Sequence, residues 1–169
     1  MSYKVTVIIP TYNSVEFLDS TIASIMNQSI GFENIELIIV DDYSTDNTQE
    51  LINSYCEKYE NIKTFESGKK TGTPGRARNI GIANSTAEYI MFIDHDDNYL
   101  PESVEKLYDA VTKNSCDVAI GKFQTFGEQK IVPEDWITQD VVLNSIDEDL
   151  RFFSINNILS LIHISEPTR

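Results

Sequence analysis

Strand-like runs alternating with stretches of helical periodicity confine this chain to a small set of architectures. Lys4-Val5-Thr6-Val7-Ile8-Ile9 is rich in β-branched residues and stops at Pro10, which predicts a strand. Leu18, Ile22, Ile25 and Met26 then recur at helical spacing and predict an amphipathic helix over about 15–28. Asn13, with Glu16 three residues on, reads as its capping box. Glu36-Leu37-Ile38-Ile39-Val40 is nearly continuous in apolar residues, as in a strand buried on both faces between parallel neighbours. A second helix, capped from within Ser44 to Asn47, carries Leu51, Ile52, Tyr55 and Tyr59 on one side. Ile62 to Phe65, Tyr89 to Ile93 and Val118 to Ile120 read as further strands. One helix is expected to open near Gly75 and carry Arg76, Arg78 and Asn79. Another opens near Pro101 with Val104, Leu107, Tyr108 and Val111 facing inward.

This alternation predicts an α/β fold with a Rossmann-like, mostly parallel sheet and helices on both faces. Ligands of such sheets sit beyond the carboxyl ends of the strands. After residue 127 the pattern changes: Glu134, Asp135, Asp140, Asp147, Glu148 and Asp149 are scattered among apolar residues without a clear period. Residues 1–127 are therefore expected to form the core and 128–169 to begin a second region, with Leu161 to Arg169 reading as an appended tail.

The 169 residues carry a net charge of −14, which argues against nucleic acid or an anionic leaflet as a partner. An anionic ligand would have to be met locally, by a cation, backbone N–H groups or a few placed basic side chains. Cys56 and Cys116 lack metal-ligand spacing and read as structural. No apolar run approaches the roughly 20 residues of a membrane span. Met1-Ser2-Tyr3-Lys4 leads into a strand rather than a signal peptide, so a cytoplasmic location is expected.

Polar clusters follow successive strands: Pro10-Thr11-Tyr12-Asn13, Asp41-Asp42 and Asp94-His95-Asp96-Asp97. The fold brings them to one edge, where the crowded carboxylates repel one another unless a cation or hydrogen-bond donors neutralise them. Oxygen ligands favour Mg²⁺ or Mn²⁺, whose shell is completed by water and substrate phosphates. Asp42 and Asp97 suit helix N-caps equally well, whereas Asp94 and Asp96 together exceed any capping need. His95 either covers a ligand or points away. In the Ser67 to Asn79 segment, Lys69, Lys70, Arg76 and Arg78 lie beside glycines that let backbone approach a ligand. Arg78, near a helix start, is suited to fork onto a diphosphate. Lys69 and Lys70 read as solvated.

Val5-Thr6-Val7-Ile8-Ile9-Pro10-Thr11-Tyr12-Asn13, Ile38-Ile39-Val40-Asp41-Asp42-Tyr43-Ser44-Thr45-Asp46, Ala77-Arg78-Asn79-Ile80-Gly81 and Phe92-Ile93-Asp94-His95-Asp96-Asp97 together resemble the successive motifs of family 2 glycosyltransferases. Thr73-Pro74-Gly75 before Arg78-Asn79 further resembles enzymes that glycosylate wall teichoic acid in Gram-positive bacteria. The resemblance implies a GT-A fold that binds a UDP-sugar. Pro10, Thr11, Tyr12 and Asp41 would hold the uracil, and Arg78 would approach the diphosphate. Asp94 and His95 would complete the nucleotide-sugar site, and Asp96 with Asp94 would hold Mn²⁺ or Mg²⁺. The sugar would pass with inversion to a cell-surface polymer or to a lipid-linked saccharide or polyol-phosphate acceptor, met from the cytoplasm at the inner membrane face.

Residues 1–127 would then be the nucleotide-sugar-binding core and 128–169 the start of the acceptor side. Ser67-Gly68-Lys69-Lys70 stands where the family commonly has an Asn. Glu134-Asp135 and Glu148-Asp149 are candidate general bases but lack the expected flanks, so the catalytic base is expected beyond the chain end. The alternative is a truncated or non-catalytic nucleotide-sugar-binding module, which would share the donor residues and lack only the base. A nicotinamide-binding domain is excluded, because the first strand leads into Pro10-Thr11-Tyr12-Asn13-Ser14-Val15 rather than a Gly-x-Gly-x-x-Gly turn. A phospho-acceptor signalling domain would place the acidic pair after the first strand, not the second.

Overall fold

The computed structural model describes residues 2–115, 117–121 and 159–163. In chain order the elements are β1 (Val5–Thr11), α1 (Leu18–Met26), β2 (Ile35–Asp41), α2 (Thr48–Lys58) and β3 (Ile62–Glu66). Then come α3 (Pro74–Asn84), β4 (Tyr89–Phe92), α4 (Ser103–Asn114), β5 (Val118–Gly121) and β6 (Leu159–His163). The strands make one sheet in the order β3-β2-β1-β4-β6-β5. The β1–β2, β2–β3 and β1–β4 pairs are parallel, and β6 lies antiparallel between β4 and β5. The expected α/β architecture with a mostly parallel sheet is the one found.

Every residue of β1 and β2 is buried, because helices cover both faces of the sheet. Val5, Val7 and Ile9 of β1 pack with Leu18, Ile22 and Ile25 of α1, Ile52 of α2, and Val104, Leu107 and Val111 of α4. The alternate residues Ile8, Ile38, Val40 and Ile90 pack on the other face with Ala77 and Ile80 of α3. After β3 the chain returns to place β4 on the far side of β1. The strand order therefore reverses direction at β1, and a crevice opens between the carboxyl ends of β1 and β4.

Local details depart from the sequence expectations. α1 begins at Leu18 with no side-chain cap, so the Asn13 and Glu16 capping box does not form. Asn13 takes a left-handed backbone (φ 48°), and its side-chain oxygen accepts from the Thr45 N–H at 2.7 Å, tying the β1 turn to the β2 turn. At the start of α2, by contrast, Thr48 donates its N–H to Asp46 Oδ1 at 3.0 Å, within the Ser44 to Asn47 stretch expected to cap that helix. Leu161 to His163, read as part of a tail, belong to β6 and pair with Met91 to Tyr89. That pairing joins residues about 70 positions apart, and a five-residue strand carries little periodicity of its own.

α3 approaches the sheet closely through Gly81. A Cβ there would lie 2.4 Å from Ile8 Cγ2 and 2.9 Å from its Cδ1. Gly81→Ala gains about 1 kcal/mol of helix propensity, but overpacking a filled core costs about 1–3 kcal/mol. The variant is therefore expected to be the less stable, as a lower urea midpoint at unchanged m-value would show.

Candidate functional site

A cavity of about 260 Å³ opens at the carboxyl ends of the central strands. β1 and its turn contribute Pro10, Thr11 and Tyr12, and the turn after β2 contributes Asp42. Gly72, Thr73, Pro74 and Ala77 come from the start of α3, and Asp94, His95 and Asp96 from the turn after β4. Of the lining residues only Pro10 and Thr11 lie within a strand; the others stand on the turns that follow β1, β2 and β4 and on the segment that opens α3.

The turns that carry these groups are cross-braced. Ser14 N–H donates to Thr48 Oγ1 at 2.8 Å, and Asn13 N–H to Ser44 Oγ at 2.9 Å. Thr21 of α1 donates to the His95 carbonyl at 2.8 Å, fixing the acidic turn against the helix. Below that turn the buried Tyr99 donates its hydroxyl to the Phe92 carbonyl at 3.0 Å.

Asp42 organises the glycine-containing loop. Its carboxylate accepts from Ser67 Oγ at 2.6 Å, from the Thr71 N–H at 2.9 Å and from the Gly72 N–H at 2.8 Å, with Thr71 Oγ1 at 3.0 Å. Burial opposes the charge, but these donors outweigh it and hold the Asp42 pKa below the usual carboxylate value. Gly72 itself is at φ 68°, a conformation that suits glycine. Asp42 is therefore not a helix cap, and neither is Asp97, since α4 starts at Ser103.

Of the residues expected at the site, Pro10, Thr11, Tyr12, Asp94, His95 and Asp96 line the cavity, whereas Asp41 and Arg78 do not. Asp41 has the parity of Ile39 and faces the α1 and α2 side, where its carboxylate accepts from the Ser44 N–H at 3.1 Å and from the Ser44 hydroxyl. Arg78 reaches the cavity through its neighbour: Nη2 donates to Asp94 Oδ1 at 2.7 Å, and the guanidinium lies 5.8 Å from the Phe92 ring centre.

Sequence reasoning overlooked Asp42 as a wall residue; it stands one position past the end of β2. Lys70, read as solvated, is exposed and still finds a partner. The Lys70 ammonium lies 4.2 Å from the centre of the Tyr12 ring and donates to its hydroxyl at 2.5 Å.

Electrostatically the turn after β4 is acidic. Lost hydration, then the charges of Asp96 and Asp94, push the Asp97 pKa up, with His95 acting against them. The Asp96 carboxylate is exposed and has no hydrogen bond or ion pair among the described residues. Nor do the described residues contain a group of three or more His, Cys, Asp or Glu placed to hold a metal. Two carboxylates facing a cavity do fit Mg²⁺ or Mn²⁺, which take one or two protein oxygens and complete their shell with water and substrate phosphates. The candidate bases Glu134-Asp135 and Glu148-Asp149 lie outside the described residues. No helix among the described residues is long and apolar enough to cross a membrane.

The chain resembles proteins of known activity. It is 39% identical over 132 residues to the poly(ribitol-phosphate) beta-N-acetylglucosaminyltransferase TarP of Staphylococcus aureus, covering 78% of this chain and 40% of that protein. It is 36% identical over 121 residues to a poly(ribitol-phosphate) beta-glucosyltransferase of Bacillus spizizenii, covering 72% of this chain and 19% of the relative. Among solved structures, residues 1–349 of S. aureus TarS in complex with UDP-GlcNAc superpose with a TM-score of 0.72 at 28% identity, over 80% of this chain and 38% of that one. The chain thus spans less than half the length of these proteins. The family model for glycosyl transferase family 2 matches residues 6–154, and the chain belongs to that family.

Proposed function

We propose that this chain is the donor-binding part of a glycosyltransferase, which holds a UDP-sugar and a divalent cation for transfer to a polyol-phosphate polymer of the cell surface. The observation that carries this reading is the cavity at the β1/β4 crevice, where an aromatic ring, the three carboxylates of Asp42, Asp94 and Asp96 and the opening turn of a helix converge. The likeness to TarS, solved with UDP-GlcNAc, and to poly(ribitol-phosphate) glycosyltransferases supports the choice of donor and acceptor.

In this reading Pro10, Thr11 and Tyr12 form the wall for the base. The base-reading carboxylate is Asp42 rather than Asp41, since Asp42 is the one that lines the cavity. The first turn of α3 directs backbone N–H groups and the positive end of its dipole toward the diphosphate, and Arg78 adds a charged fork. Asp96 with Asp94 would hold Mn²⁺ or Mg²⁺. When bound, that ion neutralises the charge developing on the departing nucleoside diphosphate. Inversion at the sugar, a general base contributed from beyond residue 127 and a cytoplasmic setting at the inner membrane face belong to the same reading.

Calorimetric titration of UDP, UDP-GlcNAc and UDP-glucose, first with Mn²⁺ and then with EDTA, tests it. Metal-dependent UDP binding is expected, and a stronger response to one of the sugars identifies the donor. Absence of binding under both conditions overturns the assignment.

A further inference from the structure

Arg78 pairs with Asp94 through a single contact, Nη2 to Oδ1 at 2.7 Å, while its Nε is buried without a hydrogen-bond partner. A guanidinium offers five N–H donors in a rigid fork, and one carboxylate oxygen at one corner leaves most of that fork unused. A diphosphate carries more acceptor oxygens and more charge than Asp94, so it is the better partner for this group. On the other side of the pair, Asp94 shares the cavity with Asp96. Among the described residues Asp94 has a basic partner and Asp96 has none.

Resting on the nucleotide-sugar reading of this cavity, we propose that the Arg78–Asp94 pair is an exchange element coupling the two halves of the donor site. An entering diphosphate takes the guanidinium away from Asp94. The released carboxylate then joins Asp96 in facing the cation, so each ligand strengthens the binding of the other by the same factor. Asp94 consequently has two opposite effects on the nucleotide. Without metal it competes with phosphate for Arg78, and with metal it supports binding.

UDP titration into the wild-type, Asp94→Asn and Asp96→Asn proteins separates these effects. In EDTA, Asp94→Asn is expected to tighten UDP binding by about fivefold, the lower end of ordinary coupling between sites. Asp96→Asn removes the same charge from the same turn but frees no arginine, and is expected to change affinity by less than about twofold, because exposed charges are screened. In Mn²⁺ the sign reverses for Asp94→Asn, which binds UDP more weakly than wild type. Equal tightening by both variants in EDTA would reduce the effect to a general field and overturn the exchange. Weaker binding by Asp94→Asn in EDTA would make Asp94 a merely structural support and overturn it too. Failure of the wild-type protein to bind UDP in either buffer removes the nucleotide reading itself, whereas UDP binding with the wrong pattern removes only the coupling.

Discussion

Asp96→Asn is expected to lower UDP affinity in Mn²⁺ by on the order of 100-fold while leaving the fold intact. Asp96 is exposed at the cavity and holds no other part of the protein by hydrogen bond or ion pair among the described residues, so its charge serves no local structural purpose. Surface substitutions of that kind stay within about 0.5 kcal/mol of neutral in stability. Loss of even an outer partner of a metal ligand costs about 10–100-fold in metal affinity, so loss of a ligand belongs at the top of that range. Calorimetry in Mn²⁺ and in EDTA, with a thermal melt of each protein, checks both halves of the expectation. An unchanged UDP affinity in Mn²⁺ would refute the metal assignment. A collapsed melting transition would show instead that Asp96 supports the turn.

A second large effect is expected away from the cavity. The Glu36 side chain is fully buried on the α3 face of the sheet. Its carboxylate accepts from Thr6 Oγ1 at 2.6 Å, Lys63 Nζ at 2.6 Å, the Thr86 N–H at 2.8 Å and Thr86 Oγ1 at 3.0 Å. This network staples β1, β2, β3 and the α3–β4 connection at the end of the sheet away from the cavity. Burial disfavours the charge, yet Lys63, Thr6 and Thr86 together outweigh it and leave the Glu36 pKa below its ordinary value. Lys63 is partly exposed, so water screens part of its attraction and the buried donors carry more of the weight.

Glu36→Gln keeps the shape but replaces a charged acceptor with a neutral amide, at an expected cost of about 2 kcal/mol at neutral pH. A depressed folded pKa means that the ionised form favours the folded state. The stabilisation is therefore complete above the unfolded carboxylate pKa and is lost as pH falls through the folded one. Urea unfolding of both proteins at about pH 7 and about pH 3 should show a gap that narrows in acid. A gap of equal size at both pH values would mean that packing, not the charge, sets the contribution of Glu36.

Much of the donor half was legible in the order of residues. Val5 to Ile9, Ile35 to Val40 and Tyr89 to Phe92 are apolar enough to be read as buried strands without knowledge of their neighbours. The polar groups after each strand then had to share one edge, because parallel strands with helical crossovers all point the same way. Pro10, Thr11, Tyr12, Asp94, His95 and Asp96 can accordingly be grouped from residue order alone, and they line one cavity. The choice between Asp41 and Asp42 was not open to the sequence, because Asp42 stands past the end of β2 and its carboxylate is oriented by Ser67, Thr71 and Gly72.

Other features depended on contacts between residues far apart in the chain. Nothing near Asn13 says that its side chain will bind Thr45 in preference to capping the next helix, because that choice depends on how closely two turns approach. The same holds for Lys70 on Tyr12, for the Asp42 carboxylate gathering Ser67, Thr71 and Gly72, and for β6 entering between β4 and β5. Residue order set β1 to β5, the helices α1 to α4, the edge at which polar groups collect and the family. Tertiary structure alone decided which charge meets which partner, because periodicity sets the face a side chain occupies, whereas hydrogen bonds and ion pairs depend on distances that exist only once the elements are packed.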